Sequence, residues 1–151
     1  MSLALPPDFC ALLTDSHLRL VGTPLLEPVV ALSDAARWLY QEAPFCVVAH
    51  NTDADPQFVY ANQAAQRCFE YTWDEMTALR SRLSAEHPNR EERDRLLESV
   101  RTHGFASGYR GLRIAKSGRR FWIENVTVWN LVDREGMYHG QAATYRQWQD
   151  A

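Results

Sequence analysis

Phe121-Trp122-Ile123-Glu124-Asn125-Val126-Thr127-Val128-Trp129-Asn130-Leu131-Val132 is a long run dense in aromatic and β-branched residues. Such residues fit a pleated, half-buried surface, so the run reads as a strand. Turn signals stand on either side of it: Lys116-Ser117-Gly118-Arg119 before and Asp133-Arg134-Glu135-Gly136 after. Beyond those turns, Tyr109 to Ala115 and Met137 to Trp148 are again strand-like. The stretch from Gly108 to Trp148 is therefore expected to form a three-stranded meander.

Strict alternation along the long run places Phe121, Ile123, Asn125, Thr127, Trp129 and Leu131 on one face. Trp122, Glu124, Val126, Val128 and Val132 then share the other. Leu112 and Ile114 share a face of the preceding strand. Neither face of the long strand is wholly polar, so the sheet is expected to be covered on both sides. A one-residue slip would exchange the two faces.

Upstream, Phe45 to His50 and Phe58-Val59-Tyr60 read as two strands joined by the turn-rich loop 51–56, and so as a hairpin. Asn62 is a helix N-cap for a segment carrying Ala64, Ala65, Cys68 and Phe69. Thr72-Trp73-Asp74-Glu75 has the pattern of a capping box. Asn89-Arg90-Glu91-Glu92 repeats that logic before a helix with Leu96, Leu97 and Val100 on one face, stopped by Gly104. Arg90, Glu91, Arg93, Asp94 and Arg95 are expected on its solvated face. Residues 1–43 read as an N-terminal helical extension. Pro6-Pro7-Asp8 starts one helix, Gly22-Thr23-Pro24 breaks the chain, and a second helix spans roughly Glu27 to Glu42 with Val29, Leu32, Ala36 and Leu39 at helical spacing.

At 151 residues with 46% hydrophobic content, the chain has enough apolar matter for one packed core. A net charge of -3 provides no basic field for nucleic acid or acidic membrane. No segment reaches the roughly 18 apolar residues of a membrane span. Cys10, Cys46 and Cys68 form no Cys-x-x-Cys pair and follow no secretory signal, so a cytoplasmic protein with reduced thiols is expected. No Gly-x-Ser-x-Gly elbow, phosphate loop or dinucleotide fingerprint occurs. No two histidines share i,i+4 spacing, and no metal site is expected. His17, His50 and His139 are expected at the surface or in loops.

The stretch Val59-Tyr60-Ala61-Asn62-Gln63-Ala64-Ala65, then Phe69-Glu70-Tyr71-Thr72-Trp73-Asp74-Glu75, resembles the first half of a PAS domain. Lys116 to Trp122, Asp133 to Gly136, and Gly140 in the last strand are similar to its second half. Within that superfamily, Ser81-Arg82-Leu83-Ser84-Ala85-Glu86 and Ile123 to Leu131 most resemble the MEKHLA domain. The resemblance covers roughly residues 38–148. It implies an α+β fold with a five-stranded antiparallel sheet, helices over one face, and a small pocket between. The PAS-like domain would occupy 44–148, after the extension 1–43.

The resemblance also implies a sensory or signalling role, without catalysis, through a small molecule or a protein partner. It names no cofactor. Photochemical relatives carry a cysteine where Ser81-Arg82-Leu83-Ser84 stands here, and this chain has Ile123 and Ala142 at their flavin-contacting Asn and Gln positions. Gln141 is expected to face the other way. Haem would need an axial ligand, for which His103 and His87 are candidates. The expected ligand pocket comprises Asn125, Thr127, Ile123, Trp129, Phe69 and His103. The face with Trp122, Val126 and Val128, together with the extension, is expected to form a homodimer. No kinase, cyclase or DNA-binding region is present, so output is expected to pass through association. The alternatives are a pure interaction module without ligand and a small enzyme of unknown reaction.

Overall fold

The computed structural model describes residues 7–26 and 30–151. The expectations at Pro6, Glu27 and Val29 lie outside the described residues. Helix α1 spans Pro7–Val21 and α2 spans Ala35–Gln41, the latter preceded by a 3-10 turn at Leu32–Asp34. Strands β1 (Cys46–His50) and β2 (Phe58–Ala61) form the expected hairpin. Short helices α3 (Gln63–Phe69) and α4 (Trp73–Met76) follow, then the longer α5 (His87–His103). The meander comprises β3 (Phe105–Ile114), β4 (Arg120–Val132) and β5 (Tyr138–Tyr145), and β6 (Gln147–Asp150) continues the course of β5 past Arg146.

The strands form one antiparallel sheet in the order β2-β1-β5-β4-β3, with β6 alongside β4. This is an α+β fold with a five-stranded core and β6 as the additional strand. Two hydrophobic clusters lie on its two faces. The inner cluster joins Phe69, Met76, Val100, Phe121, Ile123, Val126, Val128 and Tyr145. The outer cluster joins Leu13 of α1 and Leu39 of α2 to Val47, Trp129 and Leu131 of the sheet. The outer face is thus covered from within the chain. Ser16 Oγ donates to Val132 O at 2.8 Å and accepts from Val132 N at 2.9 Å, so α1 is fastened to β4 by polar bonds as well as burial.

Asn62 is fully buried, and its side chain uses its whole hydrogen-bonding capacity. Its Oδ1 accepts from Ala65 N at 3.1 Å, capping α3, and from Val47 N at 3.0 Å. Its Nδ2 donates to Leu39 O at 3.1 Å and Phe45 O at 2.9 Å. One amide therefore holds α2, β1 and α3 together. The Thr72 capping box also forms, with Thr72 Oγ1 and the Glu75 carboxylate each accepting from the other residue's backbone N–H. The second expected box does not. Helix α5 begins at His87 with Pro88 in its first turn, and Glu86 at the cap position makes no side-chain cap bond. Proline's preset φ suits a first helical turn, so the start moves ahead of Asn89.

The main departure from simple alternation lies in β4. Asn125 has φ 52, the left-handed region, within an otherwise extended strand. Across the ladder, Tyr109 pairs with Val126 but Gly111 pairs with Ile123, so β4 has one residue more than β3 there. This is a β-bulge, and it reverses the alternation beyond it. Phe121 and Ile123 face inward, and after the bulge so do Val126 and Val128. Trp129 and Leu131 turn outward beneath α1. The expected faces are therefore corrected: Val126 and Val128 belong to the inner core, and Thr127, Trp129 and Leu131 do not share a face with Ile123.

Two stability outcomes follow. Asn62→Ala would leave buried amides and carbonyls unpaired and is expected to lower the unfolding free energy by about 3 kcal/mol or more, read by denaturant titration. Asn125→Gly is expected to be neutral or slightly stabilising. Asn125→Val, a β-branched residue forced to positive φ, is expected to cost about 1–3 kcal/mol.

Candidate functional site

The inner sheet face and α5 enclose the site. Helix α5 directs Arg93, Leu96, Leu97 and Val100 toward the sheet at i, i+3, i+4 and i+7, the spacing of a single helix face. Opposite them stand Val48 and His50 from β1, Ile123, Val126 and Val128 from β4, and Gln141, Ala143 and Tyr145 from β5. Between these walls is a cavity of about 60 Å³, closed further by Phe58, Phe69, Ser84, Tyr109 and Arg113. Most of its wall is apolar.

A polar seam separates this cavity from an open cleft of about 350 Å³ beside the loop after β1. His50, Arg93, Leu97 and Gln141 touch both spaces. His50 Nε2 meets Gln141 Oε1 at 3.2 Å, so this nitrogen carries the proton and donates. Gln141 Nε2 donates to Leu97 O at 2.9 Å and to Asn130 Oδ1 at 3.2 Å. Asn130 Nδ2 in turn donates to Val100 O at 3.0 Å. The seam thus ties β1, β5 and β4 to the backbone of α5. Gly140 permits the approach of β5 to β1 here: a Cβ at this residue would lie 2.0 Å from His50 O.

His50 is 7% exposed, and burial is the main force pushing its pKa down to about 4, with the Arg93 guanidinium adding to it and the Gln141 bond opposing. Arg93 is 5% exposed, and its pKa falls to about 10, chiefly through burial and then through the Arg113 charge. Arg113 is also buried; it donates to Leu112 O at 3.0 Å and Tyr109 Oη at 3.3 Å. Gly111, lying between Tyr109 and Arg113 in β3, leaves the space they occupy: a Cβ there would be 2.4 Å from Tyr109 Oη.

The residues expected to form a pocket are not brought together as a set. Ile123 and Phe69 line the cavity. Asn125 and Thr127 lie on the opposite face, in a cleft of about 290 Å³ with His17, Thr23 and Arg146. Trp129 is buried against α1, where His17 meets its ring edge-on at a centroid distance of 4.8 Å. His103 is exposed at the end of α5, its Nδ1 bonded to Ser99 O at 2.9 Å. Of the face expected to dimerise, Trp122 alone remains on the outer side, partly covered by the Arg110 guanidinium at 3.8 Å from the ring centroid. Val126 and Val128 line the cavity instead.

Several cavity residues were missed by the sequence reading. Arg93 is buried, not on the solvated face of α5, and its helical spacing to Leu96, Leu97 and Val100 was the available signal. His17 and His50 are buried rather than superficial, whereas His139 is exposed and bonded to Asp133 at 2.8 Å. Gln141 faces the cavity, because it stands directly opposite Asn130 after the bulge has reset the faces of β4. Among the described residues, no group of three or more His, Cys, Asp or Glu side chains could hold a metal ion.

The His50 environment predicts a stability slope with pH. Unfolded, His50 titrates near 6.5; folded, it stays neutral down to about pH 4. The unfolded chain therefore binds the extra proton between these values, so stability is present above about pH 6.5 and lost as pH falls toward 4. The His50 contribution is on the order of 3 kcal/mol. His17, whose pKa burial also lowers, adds a slope of the same sign. The stability of His50→Gln is expected to fall less than that of the parent between pH 6.5 and 4.5, measured by urea unfolding at each pH.

Comparison with known proteins bears on this architecture. No curated protein sequence matches the chain. Among solved structures, a PAS domain from Colwellia psychrerythraea aligns with a TM-score of 0.67 at 14% identity, covering 80% of this chain and 96% of that one. A PAS domain from a two-component sensor histidine kinase aligns at 0.59 with 19% identity, covering 77% and 93%. The light-state dimer of the fungal blue-light photoreceptor Vivid aligns at 0.61 with 14% identity, covering 95% and 98%. These likenesses establish a PAS fold. The profile of the MEKHLA domain matches residues 8–150, α1 included, and the chain belongs to that family.

Proposed function

We propose that this MEKHLA domain is a non-catalytic sensory domain that binds a small molecule in the cavity between the inner sheet face and α5. The observation that carries this reading is the cavity together with its seam. An apolar space with a few convergent polar groups is the usual form of a ligand site. Here the polar groups also join the ligand space to helix α5 and to three strands, so occupancy and the position of α5 are physically linked. The volume of about 60 Å³ is less than half that of the engineered cavity of ~150 Å³ that binds benzene. It suits a small metabolite and not the ring system of a flavin or a haem.

The polar groups at the cavity support binding over catalysis. His50 is engaged with Gln141, and its low basicity makes it a poor general base near neutral pH. No carboxylate lines the cavity among the described residues. The three free cysteines are buried, which supports residence in a reducing compartment such as the cytoplasm. We propose further that output passes through association, as a homodimer or with a protein partner. The Vivid structure, itself a dimer, gives precedent for the fold. The Val126 and Val128 surface is unavailable for this, so α1 and the surroundings of Trp122 are the proposed contact.

Native mass spectrometry of freshly purified protein, with an absorption spectrum, tests the sensory reading. The expected result is a non-covalent adduct lost on denaturation, or a mass shift with an added metabolite panel, absent in the cavity-filling variant Ala143→Leu. Failure of every small molecule to bind would favour an interaction module without ligand. Sedimentation at micromolar concentration tests association, and a monomer with and without ligand would overturn the homodimer.

A further inference from the structure

The cavity wall has a charge imbalance that the apolar packing does not explain. Arg93 from α5 and Arg113 from β3 both face the small space, and both are at least nine-tenths buried. Among the described residues, no Asp or Glu lines it. Arg93 donates to Asp94 Oδ1 at 3.2 Å and to Ser81 Oγ, but the Asp94 side chain is 68% exposed and lies toward solvent. Among the described residues, Arg113 donates to the neutral acceptors Leu112 O and Tyr109 Oη alone. Glu92, which accepts from Tyr109 Oη at 3.1 Å, is itself exposed on α5. Each guanidinium carries five N–H donors, so these bonds leave donors for another acceptor.

Buried charge is costly unless it is paired, and two neighbouring cations add mutual repulsion. The Arg113 charge already depresses the basicity of Arg93. An anion entering the cavity would relieve both. The rest of the wall restricts its chemistry. Ile123, Val126, Val128 and Leu96 offer no hydrogen bonds, so a fully polar anion such as phosphate would lose its hydration against them. A carboxylate with a short hydrocarbon chain satisfies both parts of the wall. Its two oxygens match the fork of a guanidinium, and its chain matches the apolar side. At less than half the volume that holds the six carbons of benzene, the space limits the ligand to about one or two carbons, formate or acetate.

We propose that the cavity is a receptor site for a short-chain aliphatic monocarboxylate, held by Arg93 and Arg113 at its carboxylate and by Ile123, Val126 and Val128 along its chain. This inference rests on the reading of the cavity as a ligand site. Tyr109 and Ser84 border the same space, with their hydroxyl protons donated to Glu92 and to Ser81 O. Seam residues His50 and Gln141 close the side toward solvent.

The test is isothermal titration calorimetry and thermal melting of the full chain with sodium formate and sodium acetate. Ethanol, ethylammonium chloride and inorganic phosphate at matched ionic strength are the comparisons. Saturable binding and a rise in melting temperature are expected with the two carboxylates alone. Arg113→Met keeps an unbranched apolar stem and removes the charge. It is expected to weaken carboxylate binding at least tenfold while melting at or above the temperature of the unliganded parent. Arg93→Met is the independent second variant, with the same expected loss of binding. Equal response to ethanol or phosphate, or undiminished carboxylate binding in both folded variants, would overturn the proposal. A different ligand that binds the parent but not Ala143→Leu would overturn the carboxylate assignment and leave the cavity-site reading standing. No ligand of any class would remove both.

Discussion

The left-handed residue at Asn125 is the constraint on which the two faces of this sheet depend. Strand β4 is the longest strand and touches β3, β5 and β6. Without the bulge, its residues beyond Glu124 would point to the opposite sides. Val126 and Val128 would leave the cavity, and Trp129 and Leu131 would leave the groove under α1. A single residue at φ 52 gives both the inner cluster and the outer cluster their apolar surfaces. Asn tolerates that conformation better than its β-branched neighbours, because its short polar side chain is compatible with it. The cavity and the docking of α1 are thus two consequences of one backbone irregularity.

That coupling explains how the chain covers both faces of its sheet. In a sheet packed on both sides, each strand must present apolar residues in both directions. β4 achieves this with Phe121, Ile123, Val126 and Val128 inward and Trp129 and Leu131 outward, all buried. Asn130, inward and 7% exposed, is the polar exception. It spends its side chain on Val100 O and accepts from Gln141, so no donor or acceptor in this row is wasted. The indole nitrogen of Trp129 is different. It is the buried polar side-chain atom without a partner among the described residues. Its ring meets that of His17 edge-on.

Much of the fold was legible in the chain because its signals are local. The turns around β4, the Asn62 cap and the Thr72–Glu75 box each act over a few residues, and each forms as read. The candidate site was less legible because its decisive features are not local. The bulge lies in a run with no Gly or Pro to mark it, so uninterrupted alternation carried Asn125 and Thr127 into the wrong group. Arg93 sits among alternating charges that suggest solvent, although its spacing to Leu96, Leu97 and Val100 places it on the buried face. Arg113 in β3 runs against its local pattern: alternation favours Leu112 and Ile114 as the apolar face, yet Gly111 and Arg113 are buried while Leu112 and Ile114 are half-buried. Only at Arg93 did a charged residue stand where periodicity asks for an apolar one.

The seam gives those two arginines a mechanical context. His50, Gln141 and Asn130 form a continuous line of side-chain hydrogen bonds that ends on the Leu97 and Val100 carbonyls of α5. Arg93 lies on the same helix one turn earlier, in contact with both the cavity and the outer cleft. Any molecule that draws Arg93 inward acts on the helix to which the seam is bonded. The seam, in turn, spans the β1–β5–β4 side of the sheet, whose opposite face carries α1. Burial and hydrogen bonding at this site therefore join the cavity to α5 through short contacts.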